Sequence, residues 1–316
     1  MNLPRLTVRH FGMFLLTLAL AHAGLAPVDA ADPQQAAQRA AALLKQVGVN
    51  RGLCVAVGQE AEVVLELVQS SDLLVLVREP DAKARARLQQ AADEAGLGID
   101  RLVIQAGDSK RLPYADRLVD AVITATPKLG DKEAMRALRP EGVLIRTDGK
   151  QLVTRRRPPQ KGAGDWSHWE HGPDNNPVST DNVIKAPYMT QFMARPFYIG
   201  MPSVTTAAGG RTFLAIGHIA HHRREWKTLN RLIARNGYNG TILWEKPLPE
   251  GYLVHRSAFV ATRDTFYMID GPGCRRINPQ TGANLGRLRI PGLVGQWKWM
   301  VIRDGILYAL AGPRDQ

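Results

Sequence analysis

The stretch that decides the fold of the first half reads Gly52-Leu-Cys-Val-Ala-Val-Gly58, a run of mostly apolar residues that ends in glycine. A second apolar run, Leu73-Leu-Val-Leu-Val77, follows it and ends at Arg78-Glu79-Pro80. Continuous apolar runs of this length are typical of strands buried on both faces, as in a parallel sheet. Residues 60–70 between them place valines and a leucine on one helical face, so the two runs predict parallel strands joined by a helix.

The same alternation continues on both sides of this stretch. Helices are predicted at residues 34–46, 60–70, 81–95 and 131–138, and strands at 52–57, 73–77, 102–105, 118–123 and 142–145. Strands that alternate with helices in this way form right-handed crossovers and a doubly wound α/β sheet. Ligands of such sheets bind beyond the carboxyl ends of the strands. The first three strands end at Gly58, Glu79 and Asp108, which are therefore the candidate site residues.

The three residue types suit a nucleoside. Glycine after the first strand lets the backbone approach a ligand, and the following helix directs its N–H groups at an anionic part. A carboxylate after the second strand can accept hydrogen bonds from both hydroxyls of a ribose, and one after the third can hold an adenine amino group. Alone, each acid is more often a solvated strand end or a helix cap.

Three stretches carry a resemblance to a known family: Leu76-Val-Arg-Glu-Pro80, Gly107-Asp-Ser-Lys-Arg-Leu-Pro-Tyr-Ala-Asp-Arg-Leu-Val-Asp120 and Ala137-Leu-Arg-Pro-Glu-Gly-Val-Leu144. Through them, residues 52–147 resemble the class I S-adenosylmethionine-dependent methyltransferase domain, which has a Rossmann-like fold. The resemblance implies that Gly58 lies under S-adenosylmethionine, that Glu79 binds its ribose and that Asp108 binds its adenine. It also implies that Asp120 is structural and that residues 124–127 face the substrate.

The first loop departs from the family pattern. Its glycine-rich G-x-G-x-G sequence is replaced by Val57-Gly-Gln-Glu-Ala61, so the cofactor loop is degenerate. Glu60 would bring a negative charge near the carboxylate of the cofactor, at a cost of roughly 1–4 kcal/mol. No catalytic residue is predicted, because methyl transfer from a sulfonium needs mainly in-line positioning.

The second half has a different pattern. Residues 155–164 are rich in proline, glycine and basic residues, which predicts a linker between a Rossmann-like domain at 31–154 and a second domain at 165–316. Short apolar runs between turns then predict an all-β fold. Two features recur at a spacing of about 40 residues, Asn236–Gly240 with Asn278–Gly282 and Arg263-Asp264 with Arg303-Asp304, which indicates β-propeller blades.

Residues 165–179 resemble the opening strand of PQQ-like, quinoprotein-type β-propellers. The order of the two halves resembles large planctomycete secreted proteins. About 150 residues provide three blades at most, whereas propellers have four to eight, so we expect an incomplete propeller and a fragment of a longer protein. A quinone (PQQ) is not expected, because the adjacent cysteine pair of those dehydrogenases is missing and the only cysteines are Cys54 and Cys274.

The N-terminus and the overall charge suggest location and partners. Basic residues, the apolar run 11–21 and small residues predict a signal peptide at 1–30, and hence export to the periplasm or the extracellular space. That run is too short for a comfortable membrane span, and no other span is predicted. The net charge is +12, but the arginines are scattered, so no specific nucleic-acid partner is expected.

The pairs His168/His171 and His221/His222 lack an acidic third ligand at fixed spacing, so no metal site is predicted.

Three functions remain open from the sequence. The first is an exported methyltransferase-like protein whose propeller binds a protein partner or an unidentified small-molecule or protein substrate. The second is a non-catalytic scaffold with a pseudo-methyltransferase domain. The third is the N-terminal part of a quinoprotein oxidoreductase. The Glu79 and Asp108 stretches favour the first function, and the loop at Gly58 favours the second.

Overall fold

The computed structural model describes residues 32–149, 151–198 and 200–313, so the predicted signal peptide lies outside the described residues. The described first half has four α-helices and six strands. In chain order these are α1 Pro33–Val47, β1 Arg51–Val57, α2 Ala61–Gln69, β2 Asp72–Arg78, α3 Ala82–Glu94, β3 Leu102–Gln105, β4 Val119–Thr124, α4 Asp131–Ala137, β5 Leu138–Asp148 and β6 Gln151–Arg156. Among all the described residues, no helix is both long enough and apolar enough to cross a membrane.

The six strands form one sheet in the order β3-β2-β1-β4-β5-β6. Strands β1 to β5 are parallel to their neighbours, and β6 returns antiparallel to β5 at the edge of the sheet. The strand order reverses between β1 and β4, which is the point where open α/β sheets bind ligands. The predicted doubly wound, Rossmann-like fold is therefore confirmed for this half of the chain.

Helices cover both faces of the sheet. On one face α1, α2 and α3 pack through an apolar side, and Leu43, Leu67 and Leu88 are buried there against β1 and β2. On the other face α4 and the loop around Leu112 cover a second apolar layer. Each fully buried leucine of this kind stabilises the fold by about 1.5–3 kcal/mol. The two apolar layers explain why β1 and β4 are hydrophobic along almost their whole length.

The described second half consists of antiparallel sheets. Two sheets have four strands each, in the orders β10-β9-β8-β7 and β11-β12-β13-β14, and β15 with β16 forms a hairpin. The strands are β7 Met201–Ala208, β8 Arg211–Ile219, β9 Arg231–Asn236, β10 Ile242–Pro247, β11 Phe259–Ala261, β12 Phe266–Ile269, β13 Gly273–Ile277, β14 Asn284–Arg289, β15 Gln296–Arg303 and β16 Ile306–Gly312. The regular secondary structure of this half is thus mostly β-sheet, as predicted.

Of the two repeats found in the sequence, the Asn–Gly turns are structurally equivalent, whereas Arg263 lies in the β11–β12 turn and Arg303 is the last residue of β15. In the β9–β10 turn, Gly240 N donates to the Asn236 carbonyl at 2.9 Å, and in the β13–β14 turn Gly282 N donates to the Asn278 carbonyl at 2.8 Å. Both glycines have positive φ, +75° and +73°, which a tight hairpin turn requires at this position. Trp244 on the first antiparallel sheet donates through Nε1 to the Pro279 carbonyl at 3.0 Å, so it packs between the two antiparallel sheets.

Residues 166–168 contact the first strand of each antiparallel sheet in the second half, β7, β11 and β15. Positions 207, 261 and 302 are equivalent, because each pairs with the residue five positions later in its hairpin. Their backbone N–H groups donate in order to the Trp166 carbonyl at 2.7 Å, the Ser167 carbonyl at 2.9 Å and the His168 Nε2 at 3.1 Å. Residues 166–168 therefore cover the free edges of β7, β11 and β15, which would otherwise be unpaired.

The two halves are joined through the buried carboxylate of Asp120, the second residue of β4. Its Oδ1 accepts hydrogen bonds from Arg139 Nε at 2.5 Å and Asn236 Nδ2 at 2.9 Å, and its Oδ2 accepts from Leu53 N and Asn239 Nδ2, both at 2.9 Å. Asp120 is structural, as the sequence predicted, but it also holds the β9–β10 turn of the second half. This interface lies at the amino ends of the parallel strands.

Two sequence expectations need correction. The predicted linker at 155–164 begins inside β6, because Arg155 and Arg156 pair with β5 in the first sheet. Arg157 is also anchored, since its Nη1 donates to the carbonyls of Met135 and Leu138 at the end of α4 and the start of β5. The basic run is therefore part of the sheet edge and not of a linker. In addition, β5 begins at Leu138, four residues before the predicted strand at 142–145.

Candidate functional site

The structure places Gly58 and Glu79 side by side at the carboxyl rim of the first sheet. Val57, the last residue of β1, pairs with Arg78, the last residue of β2, so the next residues on each strand are Gly58 and Glu79. Arg78 in turn pairs with Gln105, the last residue of β3, and Asp108 follows three residues later. With a strand spacing of about 4.8 Å, the three strand ends cover about 10 Å of the rim.

Gly58 has a backbone conformation that favours glycine. Its φ is +63°, and a Cβ there would lie 3.5 Å from the Cβ and Cγ2 atoms of Thr126. The loop after β1 therefore meets the loop after β4, where the substrate was expected. Thr124 is buried, and its Oγ1 donates to the Thr126 carbonyl at 3.1 Å, so this hydroxyl shapes the loop.

Glu60, in the degenerate loop after β1, is not the unpaired negative charge that the sequence predicted. The Glu60 carboxylate pairs with Arg39 of α1, with 2.6 Å between Oε2 and Nη1. This partner offsets the negative charge that was expected to oppose the cofactor carboxylate. The Glu60 side chain does not cap α2, so it accepts no hydrogen bond from the N–H groups in the first turn of that helix. The amide N and O atoms of Gln59 are buried and have no hydrogen-bond partner.

In each of the two acids at the rim, one carboxylate oxygen accepts a hydrogen bond from the backbone of its own loop. Glu79 Oε1 accepts a hydrogen bond from Asp81 N at 2.9 Å at the start of α3, and Asp108 Oδ1 accepts from Lys110 N at 2.8 Å. Among the described residues, the second carboxylate oxygen of each has no hydrogen-bond donor. Glu79 is half-buried and Asp108 is exposed. Each acid therefore serves its own loop and retains acceptor capacity for a ligand.

Arg78 is a rim residue that the sequence analysis missed. Its Nη1 donates to the Ala106 carbonyl at 2.7 Å, and a Cβ on Gly107 would lie only 1.6 Å from Nη2. Arg78 therefore fills the space next to Gly107 and fixes the loop that presents Asp108. Beside it, the Tyr114 hydroxyl donates to Gln105 Oε1 at 3.1 Å, and burial raises the pKa of Tyr114 to about 12. The signal that could have revealed this contact is the glycine that precedes Asp108.

The histidines singled out in the sequence have structural partners. His168 is buried, and burial lowers its pKa to about 4, so the ring is neutral at neutral pH. Its Nε2 accepts from Ile302 N, so Nδ1 carries the proton and donates to Ser167 Oγ at 2.7 Å. The backbone N–H groups of His221 and His222 both donate to Glu225 Oε2. In the described part of the chain, no group of three or more His, Cys, Asp or Glu could hold a metal ion.

No protein-family model matches the chain, and no curated protein matches it. Several solved structures resemble part of it. A SAM-dependent methyltransferase from Aquifex aeolicus is 17% identical, with 40% of this chain and 78% of that chain covered and a TM-score of 0.31. Geranyl diphosphate C-methyltransferase from Streptomyces coelicolor, in complex with Mg²⁺, geranyl diphosphate and S-adenosyl-L-homocysteine, is 14% identical, with 34% and 44% covered and a TM-score of 0.31.

A third similar structure is the [4+2]-cyclase SpnF, which is 20% identical, with 36% of this chain and 44% of that chain covered and a TM-score of 0.33. The chain spans about half the length of the first solved structures that it matches, 53%, 47% and 44%. At this level of similarity, function has to be inferred from the residues of the chain itself.

Proposed function

We propose that the carboxyl rim of the first sheet binds S-adenosylmethionine, and that the chain is an exported methyltransferase-like protein. The observation that carries this proposal is the position of Gly58, Glu79 and Asp108 at the ends of three adjacent parallel strands. A flexible glycine and two acids with free acceptor oxygens form the set of groups that a nucleoside needs.

Each residue has a separate task in the proposed complex. Glu79 accepts hydrogen bonds from the ribose hydroxyls, and Asp108 accepts one from the adenine amino group. The backbone around Gly58 supports the ligand, and the N–H groups at the start of α2 face its carboxylate. When bound, S-adenosylmethionine supplies a methyl group activated by its sulfonium. The chain contributes by orienting the acceptor at residues 124–127 and needs no general base for this.

Two features of the first loop support the fit. The ion pair between Glu60 and Arg39 offsets the charge that would repel the cofactor carboxylate. The orphaned amide of Gln59 is adjacent to Gly58, and a buried amide without a partner costs about 1–3 kcal/mol, which a ligand could recover after a small side-chain movement.

The second half is proposed to be the beginning of a β-propeller that binds a protein or small-molecule partner. Its support is the equivalence of the turns at Asn236–Gly240 and Asn278–Gly282 and the shared contacts of residues 166–168. Because the interface at Asp120 lies at the amino ends of the strands, this half leaves the rim open. Export is proposed from the sequence pattern of residues 1–30.

A non-catalytic scaffold is the competing function, because the hydrogen-bonded contact between the halves at Asp120 would serve a scaffold as well as an enzyme. Isothermal titration calorimetry separates the two. The full chain is titrated with S-adenosylmethionine and with S-adenosylhomocysteine, and the proposal predicts saturable binding of both. Glu79→Gln keeps an oxygen for Asp81 N but removes the charge, so it should weaken binding by about 10–100-fold.

Asp72→Asn is the matched control. Asp72 lies at the opposite end of the same strand, where it forms an exposed ion pair with Arg51 at 3.2 Å, so the same charge change there should leave the affinity unchanged. Absence of heat with millimolar ligand would end the enzyme hypothesis and leave the scaffold. Equal weakening in both variants would show that Glu79 does not contact the ligand.

A further inference from the structure

We propose that a cavity between the two halves binds an oxyanion with at least two negative charges, either free phosphate or the phosphate group of a monoester. The cavity has a volume of about 310 Å³ and lies between the start of β5, the end of β6 and the first antiparallel sheet. Its charged lining consists of Arg139, Glu141, Arg156 and Arg211. It is at the opposite end of the sheet from the Gly58 rim, so it is independent of the proposed nucleoside site.

The charges around the cavity do not balance. Arg139 pairs with Asp120, and Glu141 pairs with Arg263 from the second half. Among the described residues, neither Arg156 nor Arg211 has a carboxylate within ion-pair distance. The four lining groups thus carry three positive charges and one negative charge, a formal sum of +2. A doubly charged oxyanion would neutralise this lining.

Arg211 is held in an unfavourable environment. Its Nη1 donates to Gln280 Oε1 at 3.3 Å and its Nη2 donates to the Arg263 carbonyl, while its Nε is buried without a partner. Burial, together with the guanidinium groups of Arg139 and Arg263, lowers the pKa of Arg211, and the carboxylates of Glu141 and Asp264 offset this only in part. Like charges concentrated in one place destabilise each other unless an opposite charge joins them. An anion in the cavity would supply that charge.

Arg156 and the turn after β7 complete the site. The two hydrogen bonds of Arg156 are both long, 3.3 Å to the carbonyls of Glu141 and Gln46, so its guanidinium can turn toward a stronger acceptor. Gly209 and Gly210 have φ of +57° and +73°, and a Cβ on Gly210 would lie 2.7 Å from the Tyr238 ring. The glycines therefore let this turn pack closely. Guanidinium groups bind phosphate oxygens with two parallel hydrogen bonds, and the formal +2 of the lining favours a doubly charged ion over a monovalent one.

Calorimetric titration of the full chain with inorganic phosphate and with glycerol phosphate tests the proposal, at an ionic strength held constant with chloride. Arg211→Gln and Arg156→Gln should each weaken binding by about tenfold or more. Arg87→Gln is the matched control, because Arg87 is exposed on α3 and its substitution makes the same change in net charge. It should retain the wild-type affinity.

Binding of either probe that both cavity variants lose supports the site. Preference for glycerol phosphate would identify a monoester as the ligand, and preference for inorganic phosphate would identify the free ion. The absence of heat at millimolar concentrations of both probes overturns the proposal, as does equal binding by the wild type and both cavity variants. If Arg211→Gln does not fold, as judged by circular dichroism, Arg156→Gln decides, because that side chain is exposed.

Discussion

Replacement of Asp120 by asparagine should destabilise both halves of the molecule. Each carboxylate oxygen accepts two hydrogen bonds, and one of the four donors is the charged Arg139. An asparagine side chain offers one oxygen, so its NH₂ group would face two of these donors whichever way it turns. Gly52 lies directly against the carboxylate, with a built Cβ 2.4 Å from Oδ2, which leaves little room for rearrangement.

The cost follows from burial. The Asp120 side chain is 2% exposed and that of Arg139 is 17% exposed. Removal of one partner from a buried ion pair costs about 3–5 kcal/mol, since the other charge remains buried and unpaired. This is a large part of the roughly 5–15 kcal/mol that stabilises a typical protein. With a urea dependence of about 2–3 kcal/mol per M, the unfolding midpoint should fall by about 1–2.5 M.

Two spectroscopic signals can follow the halves separately. All six tryptophans lie between residues 166 and 299, so their fluorescence reports on the second half. The α-helices of the described chain all lie in the first half, so circular dichroism at the helical band reports on that half. The wild type should show coincident urea transitions. In Asp120→Asn both midpoints should fall, and that of circular dichroism should fall further, because Leu53 N and Arg139 belong to the first half.

Asp72→Asn is again the control, because its exposed ion pair contributes no more than about 1 kcal/mol. Adding Asn239→Ala to Asp120→Asn completes a double-mutant cycle, and the two effects should not be additive because the side chains are in contact. If Asp120→Asn unfolds within 1 kcal/mol of the wild type in both signals, the carboxylate does not join the halves as described.

Three further predictions concern buried groups. Because burial lowers the pKa of His168 from 6.5 to about 4, stability should be constant above pH 6.5 and fall by about 3 kcal/mol in total as the pH drops to 4 and below. Urea midpoints from tryptophan fluorescence should show this loss in the wild type and a smaller one in His168→Gln; equal losses would contradict it. Gly142→Ala should cost about 1–3 kcal/mol, because the new Cβ would lie 2.9 Å from two backbone oxygens, and a change below 0.5 kcal/mol would show that the backbone yields easily. Burial raises the pKa of both Cys54 and Cys274 to about 12, so a thiol reagent at pH 8 should modify neither cysteine in the native protein and both in urea; fast native labelling would contradict this.

The first half could be predicted from its sequence because its parallel strands are buried on both faces. The apolar runs inside β1, β2 and β3 stop at Val57, Val77 and Ile104, so the glycine or polar residues that follow each run mark the rim directly. Strand β6 was missed because its residues Gln151–Arg156 are mostly polar and exposed at the sheet edge. Strand β7 leaves no apolar run in the sequence, because Met201–Ala208 consists mostly of small and hydroxyl residues.

The candidate site was predictable in position but not in its contacts. Strand ends located Gly58, Glu79 and Asp108, since topology alone brings them to one rim. The pairing of Glu60 with Arg39 could not be foreseen, because the partner comes from another helix. The contact of Asp120 with Asn236 and Asn239 spans more than a hundred residues and leaves no local pattern.

The most direct test of the proposed function is a crystal structure of the full chain grown with S-adenosylhomocysteine. We expect a nucleoside across the ends of β1, β2 and β3, with the ribose hydroxyls on the Glu79 carboxylate and the adenine amino group on Asp108. A nucleoside bound anywhere else, or a rim without a nucleoside at saturating concentration, would contradict it.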